Sequence, residues 1–476
     1  MPIKSDLASF ILEKFAYPPT QEQSDVVDAW CDFLLSADRE EIFLLQGYAG
    51  TGKTTLVGAL VRAFVALRRP VVLLAPTGRA AKVFALYSDH AAFTIHKKIY
   101  RQKTFSADMT GFQQNANNHR HTLFVVDEAS MISNEGLSGK AFGTGRLLDD
   151  LIHYVYAGEG CRLMLVGDSA QLPPVGEELS PALSPLALAG YGLHVRCAEL
   201  TQVVRQVNDS GILWNATMLR QLISTDEMGH FPRIRLAGFP DVRVVPGDEL
   251  IEHLEDCYYR CGVDQTIIVT RSNRRANVFN NGIRARILDY EEELVSGDQL
   301  IVVKNNYYWL REEEQGEGAS FIANGDVCVV RRYRNERELY GFRFADATLQ
   351  FPDFDDMEVE ATILLDTLQS DAPALTQERQ TELFNAICAD YPEITNRRDL
   401  IKKVKEDPYF NALQVKYAYA VTCHKAQGGQ WQRVFIDQGY VTEDMLSPDY
   451  FRWLYTALTR ATETVYLVNW PKEQVE

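Results

Sequence analysis

Residues 47–54 read Gly47-Tyr48-Ala49-Gly50-Thr51-Gly52-Lys53-Thr54 and follow the apolar run Ile42-Phe43-Leu44-Leu45. Small residues at this spacing let backbone N–H groups converge on phosphate oxygens. Lys53 can reach the β- and γ-phosphates, and the Thr54 hydroxyl can ligate Mg2+. A helix expected from Thr55 to residue 67 aims the positive end of its dipole at the same anion. An ordinary strand–turn–helix corner would leave the lysine unexplained, so the segment reads as a nucleotide site. A carboxylate pair, Asp127-Glu128, follows a second apolar run, Leu123-Phe124-Val125-Val126. Alone, such a pair is a solvated turn; downstream of a phosphate loop it suits Asp127 holding Mg2+ and Glu128 polarising the attacking water. A third run ends in Gly167-Asp168-Ser169-Ala170-Gln171-Leu172-Pro173-Pro174, where Gln171 can contact both water and γ-phosphate.

The elements that must position these groups alternate. Short apolar strands are expected at 42–45, 71–75, 123–126 and 163–166, and helices at 55–67, 78–86 and 145–156. Fully apolar strands between amphipathic helices imply a parallel sheet covered on both faces, with ligands at the carboxyl ends of its strands. The phosphate loop, Asp127-Glu128 and Gly167-Asp168 all fall at such ends. A second alternating region begins with a strand at 265–270 and a helix at 273–289. It resumes after about residue 412 with a strand at 434–437, a helix at 448–459 and a strand at 465–468. The expected fold is therefore α/β, with two parallel-sheet domains and two insertions. Residues 1–96 and 122–235 form the first domain, and 97–121 a small hairpin insertion carrying Phe105 and Phe112. Residues 236–305 and 411–476 form the second, with 306–410 inserted. That larger insertion begins β-rich, at 327–332 and 338–344, has turns at Asn324-Gly325 and Asn335-Glu336, and becomes helical near 376–389.

Composition narrows the classes. A chain of 476 residues with 24% charged and 46% hydrophobic residues suits a globular protein of about two to four domains. The net charge of −17 argues against coating duplex by bulk attraction, though not against a channel lined by a few cations and aromatics. Much of the acid lies in Glu291-Glu292-Glu293, Glu312-Glu313-Glu314 and residues 353–360, which read as solvated faces. Of eight cysteines only Cys257 and Cys261 are close, with no second pair to complete a zinc site, so a reducing, cytoplasmic setting is expected. No apolar run approaches about 18 residues and no charged-then-apolar leader opens the chain, so neither a membrane partner nor export is expected.

Taken in order, the motifs resemble the RecD/Dda-like branch of superfamily 1 DNA helicases. They are Thr20-Gln21-Glu22-Gln23; Gly47 to Thr54; Ala75-Pro76-Thr77-Gly78-Arg79-Ala80-Ala81; Thr94-Ile95-His96; Asp127-Glu128-Ala129-Ser130; Gly167 to Pro174; Leu200-Thr201-Gln202-Val203-Val204-Arg205-Gln206; Val421-Thr422-Cys423-His424-Lys425-Ala426-Gln427-Gly428; and Tyr455-Thr456-Ala457-Leu458-Thr459-Arg460-Ala461. They cover residues 20 to 461. The resemblance implies two RecA-like domains with ATP and Mg2+ between them and single-stranded DNA across their top. Gln23 would read the adenine edge, and Arg205 and Arg460 would approach the γ-phosphate from opposite sides. Gln430 stands where relatives often carry an acidic residue contacting the ribose. The implied activity is ATP-driven movement along single-stranded DNA in the 5′→3′ direction, with strand separation at single-strand/duplex junctions. A monomeric motor with repair or recombination partners is the matching expectation. A nucleotide-gated clamp without unwinding, or an RNA-directed enzyme, stays open.

On the strand-binding side, Thr77-Gly78-Arg79 opens a helix, so backbone amides, a hydroxyl and a guanidinium can meet phosphate. The resemblance places Thr94 and His96 of the first domain and Thr422, His424 and Lys425 of the second on one track. Tyr307-Tyr308-Trp309 reads as a stacking platform centred on Trp309, or as a buried strand end. Arg271 and Arg274-Arg275 line the track or form a solvated face. Phe105 or Phe112 is either the pin that splits the duplex or part of the hairpin's own packing.

Overall fold

The computed structural model describes residues 2–102, 112–134, 144–204, 210–306, 308–310 and 321–476. In the first domain the strands β1 (Glu41–Gly47), β2 (Val71–Ala75) and β3 (Ala92–Thr94) come before a two-stranded antiparallel hairpin. That hairpin is β4 (Tyr100–Gln102) and β5 (Phe112–Gln114), the insertion expected at 97–121. Then follow β6 (Leu123–Val126), β7 (Arg162–Gly167) and β8 (His194–Leu200). The sheet runs β3-β2-β6-β7-β1-β8, all parallel. Ile42 to Leu45, Leu123 to Val126 and Leu163 to Val166 are buried throughout, as strands covered on both faces must be. Because β1, β6 and β7 are adjacent and parallel, their carboxyl ends bring the phosphate loop, Asp127-Glu128 and Asp168 to one edge.

The second domain contributes β9 (Val242–Val245) and β10 (Thr266–Thr270). The chain then leaves for a closed barrel of β11 (Gln299–Val302), β12 (Val327–Leu339), β13 (Phe342–Phe351), β14 (Met357–Leu364) and β15 (Leu413–Tyr417). It returns as β16 (Ala420–Thr422), β17 (Trp431–Asp437) and β18 (Ala461–Val468), completing a parallel sheet of order β16-β10-β17-β18-β9. Helices Gln377–Cys388 and Arg397–Lys405 pack beside Phe342 and Phe344 on the barrel. Two α/β domains with two insertions is the architecture the sequence led us to expect.

Three details differ. The barrel needs both β11 and β15 to close, so the insertion is wider than 306–410. The run Leu300-Ile301-Val302 pairs antiparallel with β12 and β15 rather than joining the second domain's sheet. Residues 211–235, expected in the first domain, pack into the second domain's core. Ile212, Ala216 and Leu219 of helix Gly211–Thr225 lie with Val242, Ile267 and Leu454, and Ile234 bridges to Val475. Finally, Asn335-Glu336 is not a turn. β12 runs through it with an irregularity between Arg334 and Arg337, and the hairpin turns at Tyr340-Gly341, where φ is 58° and 72°. Asn335 takes a left-handed φ of 56° as a bulge, and its side chain donates to Asp346 on the facing strand at 3.0 Å. Among the described residues no helix is long and apolar enough to cross a membrane.

Candidate nucleotide and strand-binding site

The phosphate loop joins β1 to helix Lys53–Ala66. Gly50 and Gly52 both have φ of 78°, and a Cβ at these positions would come within 2.8 Å of Leu213 and 2.7 Å of Gln23. Only glycine meets both demands. Lys53 Nζ donates to the Gly47 carbonyl at 2.8 Å, so its side chain arches over the loop, and the Thr51 hydroxyl donates to the Tyr48 carbonyl at 2.8 Å. Thr54 and Thr55 occupy the first turn of the helix. Beneath the loop, fully buried Gln23 closes a reciprocal cap with Thr20 and donates to the Thr51 carbonyl at 3.0 Å. The expected adenine reader thus also braces the loop that holds the phosphates.

Asp127, Glu128 and Asp168 gather where β6 and β7 end. Burial, then the neighbouring Glu128 carboxylate, push the Asp127 carboxyl up to about 6, and the Lys53 ammonium pulls it back. Burial also raises Asp168, opposed by Lys53 and by a hydrogen bond from Tyr455. Glu128 adopts a left-handed φ of 54° at the strand end, and its N–H donates to Asp127 Oδ1 at 2.8 Å. Gln171 is 6% exposed, and its buried Oε1 has no hydrogen-bond partner among the described residues. An unpaired buried acceptor beside a phosphate cradle and a carboxylate cluster fits a nucleoside triphosphate with its attacking water. Among the described residues no three His, Cys, Asp or Glu form a metal site by themselves.

The second domain reaches this edge through helix Pro448–Leu458. Tyr455, 1% exposed, donates its hydroxyl hydrogen to Asp168 Oδ2 at 2.6 Å, and the Tyr455 hydroxyl oxygen accepts the Ala49 N–H at 2.9 Å. The next residue's hydroxyl, Thr456 Oγ1, accepts the Leu172 N–H at 2.9 Å, and Gln427 Nε2 donates to the Leu172 carbonyl at 2.7 Å. Arg460 is buried just beyond the helix, donating to the carbonyls of Thr456 at 3.1 Å and Gly429 at 3.3 Å. Arg205 lies outside the described residues. The chain leading to it is bound to the phosphate loop, where the Val204 N–H donates to the Gly50 carbonyl at 3.0 Å.

The strand-side residues converge from three bodies. Thr77 caps helix Gly78–Ser88, accepting from the Ala80 N–H at 3.2 Å, and Thr94 caps helix Ile95–Ile99 in the same way at 3.3 Å. Arg79 lies 4.0 Å over the Trp431 ring and donates to the carbonyl of exposed Gln430 at 3.2 Å. A Cβ on Gly78 would meet Asp326 Oδ1 at 2.8 Å and Phe354 at 2.9 Å, so the barrel abuts this helix start. Lys425 hydrogen-bonds Asn324, two residues from Asp326 in the same barrel turn. His96 packs against Tyr100 and Phe321, and burial pushes its imidazole down to about 4, making it a neutral contact rather than a cation. Thr422 ends β16 at the start of helix Cys423–Ala426, on which His424 is exposed.

Other expectations are not gathered here. Trp309 donates its indole N–H to the Asn411 carbonyl at 2.7 Å and packs on the barrel core, closer to the buried-strand reading than to a free platform. Arg275 is ion-paired, its guanidinium forking onto Asp437 at 2.8 and 2.7 Å. Exposed Arg271 sits over Tyr450 and Trp453. Phe105 lies outside the described residues, as does the side chain of Phe112, whose backbone begins β5. Sequence reasoning missed Tyr455, Thr456, Gln427, Trp431 and Asn324. The first four lie inside or beside quoted motifs, and the signal was their place on the faces that carry Arg460 and Lys425.

Two parallel α/β domains, with a phosphate loop in one and a buried arginine and docking helix from the other, define a two-domain P-loop motor. Residues 20–228 match the model of an AAA domain and residues 417–468 that of the UvrD-like helicase C-terminal domain. The chain is 30% identical to the ATP-dependent RecD2 DNA helicase of Deinococcus radiodurans, over 94% of this chain and 48% of that one. It is 22% identical to the ATP-dependent DNA helicase dda of Enterobacteria phage T4, over 82% and 86%. An uncharacterised protein of Acanthamoeba polyphaga mimivirus is 23% identical over 90% and 95%. The chain thus spans about half of RecD2 and most of the other two. Among solved structures, Pif1 helicase from Bacteroides in complex with ADP-AlF3 and ssDNA matches with a TM-score of 0.46 at 15% identity, covering 96% and 94% of the two chains. These matches support a superfamily 1 helicase, similar to RecD2 and Dda.

Proposed function

We propose that this protein is an ATP-dependent DNA helicase that moves 5′→3′ along single-stranded DNA and separates duplex ahead of it. The observation that carries the reading is a pair of adjacent carbonyls on the second domain. Gly429 accepts from Arg460 at 3.3 Å, and Gln430 accepts from Arg79 at 3.2 Å, with Trp431 beneath the Arg79 guanidinium. A change in the nucleotide-side arginine and a change in the strand-side arginine are therefore felt by the same three residues. That supports ATP turnover being converted into altered grip on a strand.

In this reading Gly47, Ala49, Gly50, Thr51 and Gly52 supply the loop around the phosphates, and Lys53 draws charge toward them. Glu128 takes the proton from water, Gln171 orients that water, and Arg205 and Arg460 stabilise the spreading charge. Thr54 and Asp127 would hold Mg2+, which would supply charge neutralisation at the transferred phosphate. Gln23 and Gln430 face the base and ribose. Thr77, Gly78, Arg79, Thr94, His96, Thr422, His424 and Lys425 carry the strand. DNA as substrate follows the DNA helicases named above, and 5′→3′ polarity, a cytoplasmic setting, a monomeric motor and repair or recombination partners follow the family resemblance of the motifs.

The test is ATPase and unwinding on 5′-tailed, 3′-tailed and blunt DNA with matched RNA. Unwinding of the 5′-tailed duplex alone is expected, and Lys53→Ala should abolish both activities while sparing strand binding. ATP turnover without unwinding of any substrate would replace the helicase by a nucleotide-gated clamp, and a preference for the RNA set would replace the substrate. Turnover retained in Lys53→Ala would remove the assignment of the site.

A further inference from the structure

Tyr455 belongs to the second domain by its ring and to the first by its hydroxyl. The ring is buried in the core that contains Phe451, Leu454 and Val434. Both hydroxyl partners, the Ala49 N–H at 2.9 Å and Asp168 Oδ2 at 2.6 Å, come from the edge of the first sheet. Asp168 Oδ1 is held by the Ala170 N–H at 2.9 Å. Four residues on, both peptide groups of Leu172 are clasped from the second domain, the N–H by Thr456 Oγ1 and the carbonyl by Gln427 Nε2. Between these two anchors lies Gln171, whose buried Oε1 has no partner among the described residues. The residue expected to orient water is therefore fixed on both sides by groups of the other domain. Its own domain supplies the Asp168–Ala170 bond and a 3.3 Å bond from the Gln171 N–H to the Asp168 carbonyl.

We propose that Tyr455 is a positioning residue for ATP hydrolysis: its hydroxyl, delivered on helix Pro448–Leu458, aligns the Asp168–Leu172 segment and hence Gln171 only when the second domain is docked. The inference rests on the helicase reading and adds to it a route by which closure is sensed that does not pass through the arginines. Burial holds the phenol far above its ordinary range, so it stays a neutral donor at all working pH values. The geometry also explains why a phenol is needed. An aliphatic or phenyl side chain could fill the same core, but neither can donate to a carboxylate and accept from a phosphate-loop amide at once.

The test is Tyr455→Phe, which keeps the ring and removes both bonds. At saturating single-stranded DNA its kcat for ATP should fall about ten- to a hundredfold, the range for losing a hydrogen bond to a charged group. KM for ATP should stay within about threefold, and the melting temperature should match wild type. A kcat within twofold of wild type would overturn the proposal. So would a parallel loss in kcat, KM and melting temperature, which marks a purely structural role. Should the phenylalanine variant fold poorly, Thr456→Val removes the neighbouring clasp on Leu172 and is expected to give the same kcat-selective loss; normal kcat in that variant would count against the idea. Wild type measured alongside separates the two levels. No stimulation of wild-type ATPase by DNA would sink the helicase reading, whereas stimulation equal in both proteins would sink only the role of Tyr455.

Discussion

Strand binding should weaken as pH rises through 8, and one lysine should be responsible. Lys425 sits on helix Cys423–Ala426 with its ammonium against Asn324 of the barrel. Burial and then the nearby Lys416 ammonium push it down to about 8, well below a solvated lysine. Phosphate binds the protonated form. With that value about nine-tenths of the lysine is charged at pH 7, half at pH 8 and about one-tenth at pH 9. Binding must then take up a proton, so affinity for single-stranded DNA should fall by roughly tenfold between pH 7 and 9, about 1.4 kcal/mol. The salt dependence should stay nearly constant, because the complex holds Lys425 charged at either pH: the log–log slope keeps about −0.7 for the phosphate it neutralises. Lys425→Arg keeps the charge at every accessible pH and should flatten the profile without matching the Lys contact in detail. His96 does not confuse the measurement, because burial places its titration near 4. Lys416 is the one to watch, since burial also lowers it to about 8, offset by Asp371. The assay is fluorescence anisotropy of a labelled oligonucleotide at constant ionic strength from pH 6.5 to 9.5, for both proteins. Parallel profiles for wild type and Lys425→Arg would refute the reasoning, since the titrating cation would then be elsewhere.

Two further outcomes can be checked with single variants. Asp326 is buried where the barrel meets Gly78, and burial pushes its carboxyl up to about 7 with Oδ1 unpaired. A carboxyl raised in the folded state contributes its stability below about pH 4 and loses it as pH rises through 7, on the order of 2–4 kcal/mol. Asp326→Asn should therefore unfold at a higher temperature than wild type at pH 8 and show a flatter dependence from pH 5 to 8; identical slopes in the two proteins would mean the carboxyl is solvated. Arg460→Ala should lower kcat by at least about a hundredfold with KM nearly unchanged, given that such arginines are worth roughly 10³–10⁵ in rate. It should also lose about 1–3 kcal/mol of stability by stranding the Gly429 and Thr456 carbonyls. Equal losses in kcat and affinity would make it a binding group.

What the sequence made readable, and what it hid, follows from the range of the forces involved. The phosphate loop, the strands ending in Asp127 and Asp168, and the helix opening at Gly78 are local objects. Each is defined by a few consecutive residues whose backbone geometry and hydrophobic period are set nearby, so each is legible in the sequence alone. Boundaries failed where a local signal was ambiguous. Leu300-Ile301-Val302 is an apolar run that suits a buried strand in either sheet, and only barrel closure assigns it. Asn335 has the chemistry of a turn and of a bulge alike, and the pairing of Arg337 with Asp346 across the strands decides for the bulge. The residues that join the domains were hidden for a deeper reason. Tyr455, Trp431 and Asn324 are selected by what faces them across an interface, and an interface has no period along the chain. Their partners are Ala49, Arg79 and Lys425, separated from them by 406, 352 and 101 positions. In the proposed reading the other motif residues bind nucleotide and strand, whereas these three make the contacts that join one body of the protein to another. Removing only Tyr455's hydroxyl is for that reason the sharper probe of a motor: it keeps every group proposed to touch nucleotide or strand and takes away a bond that joins the two domains.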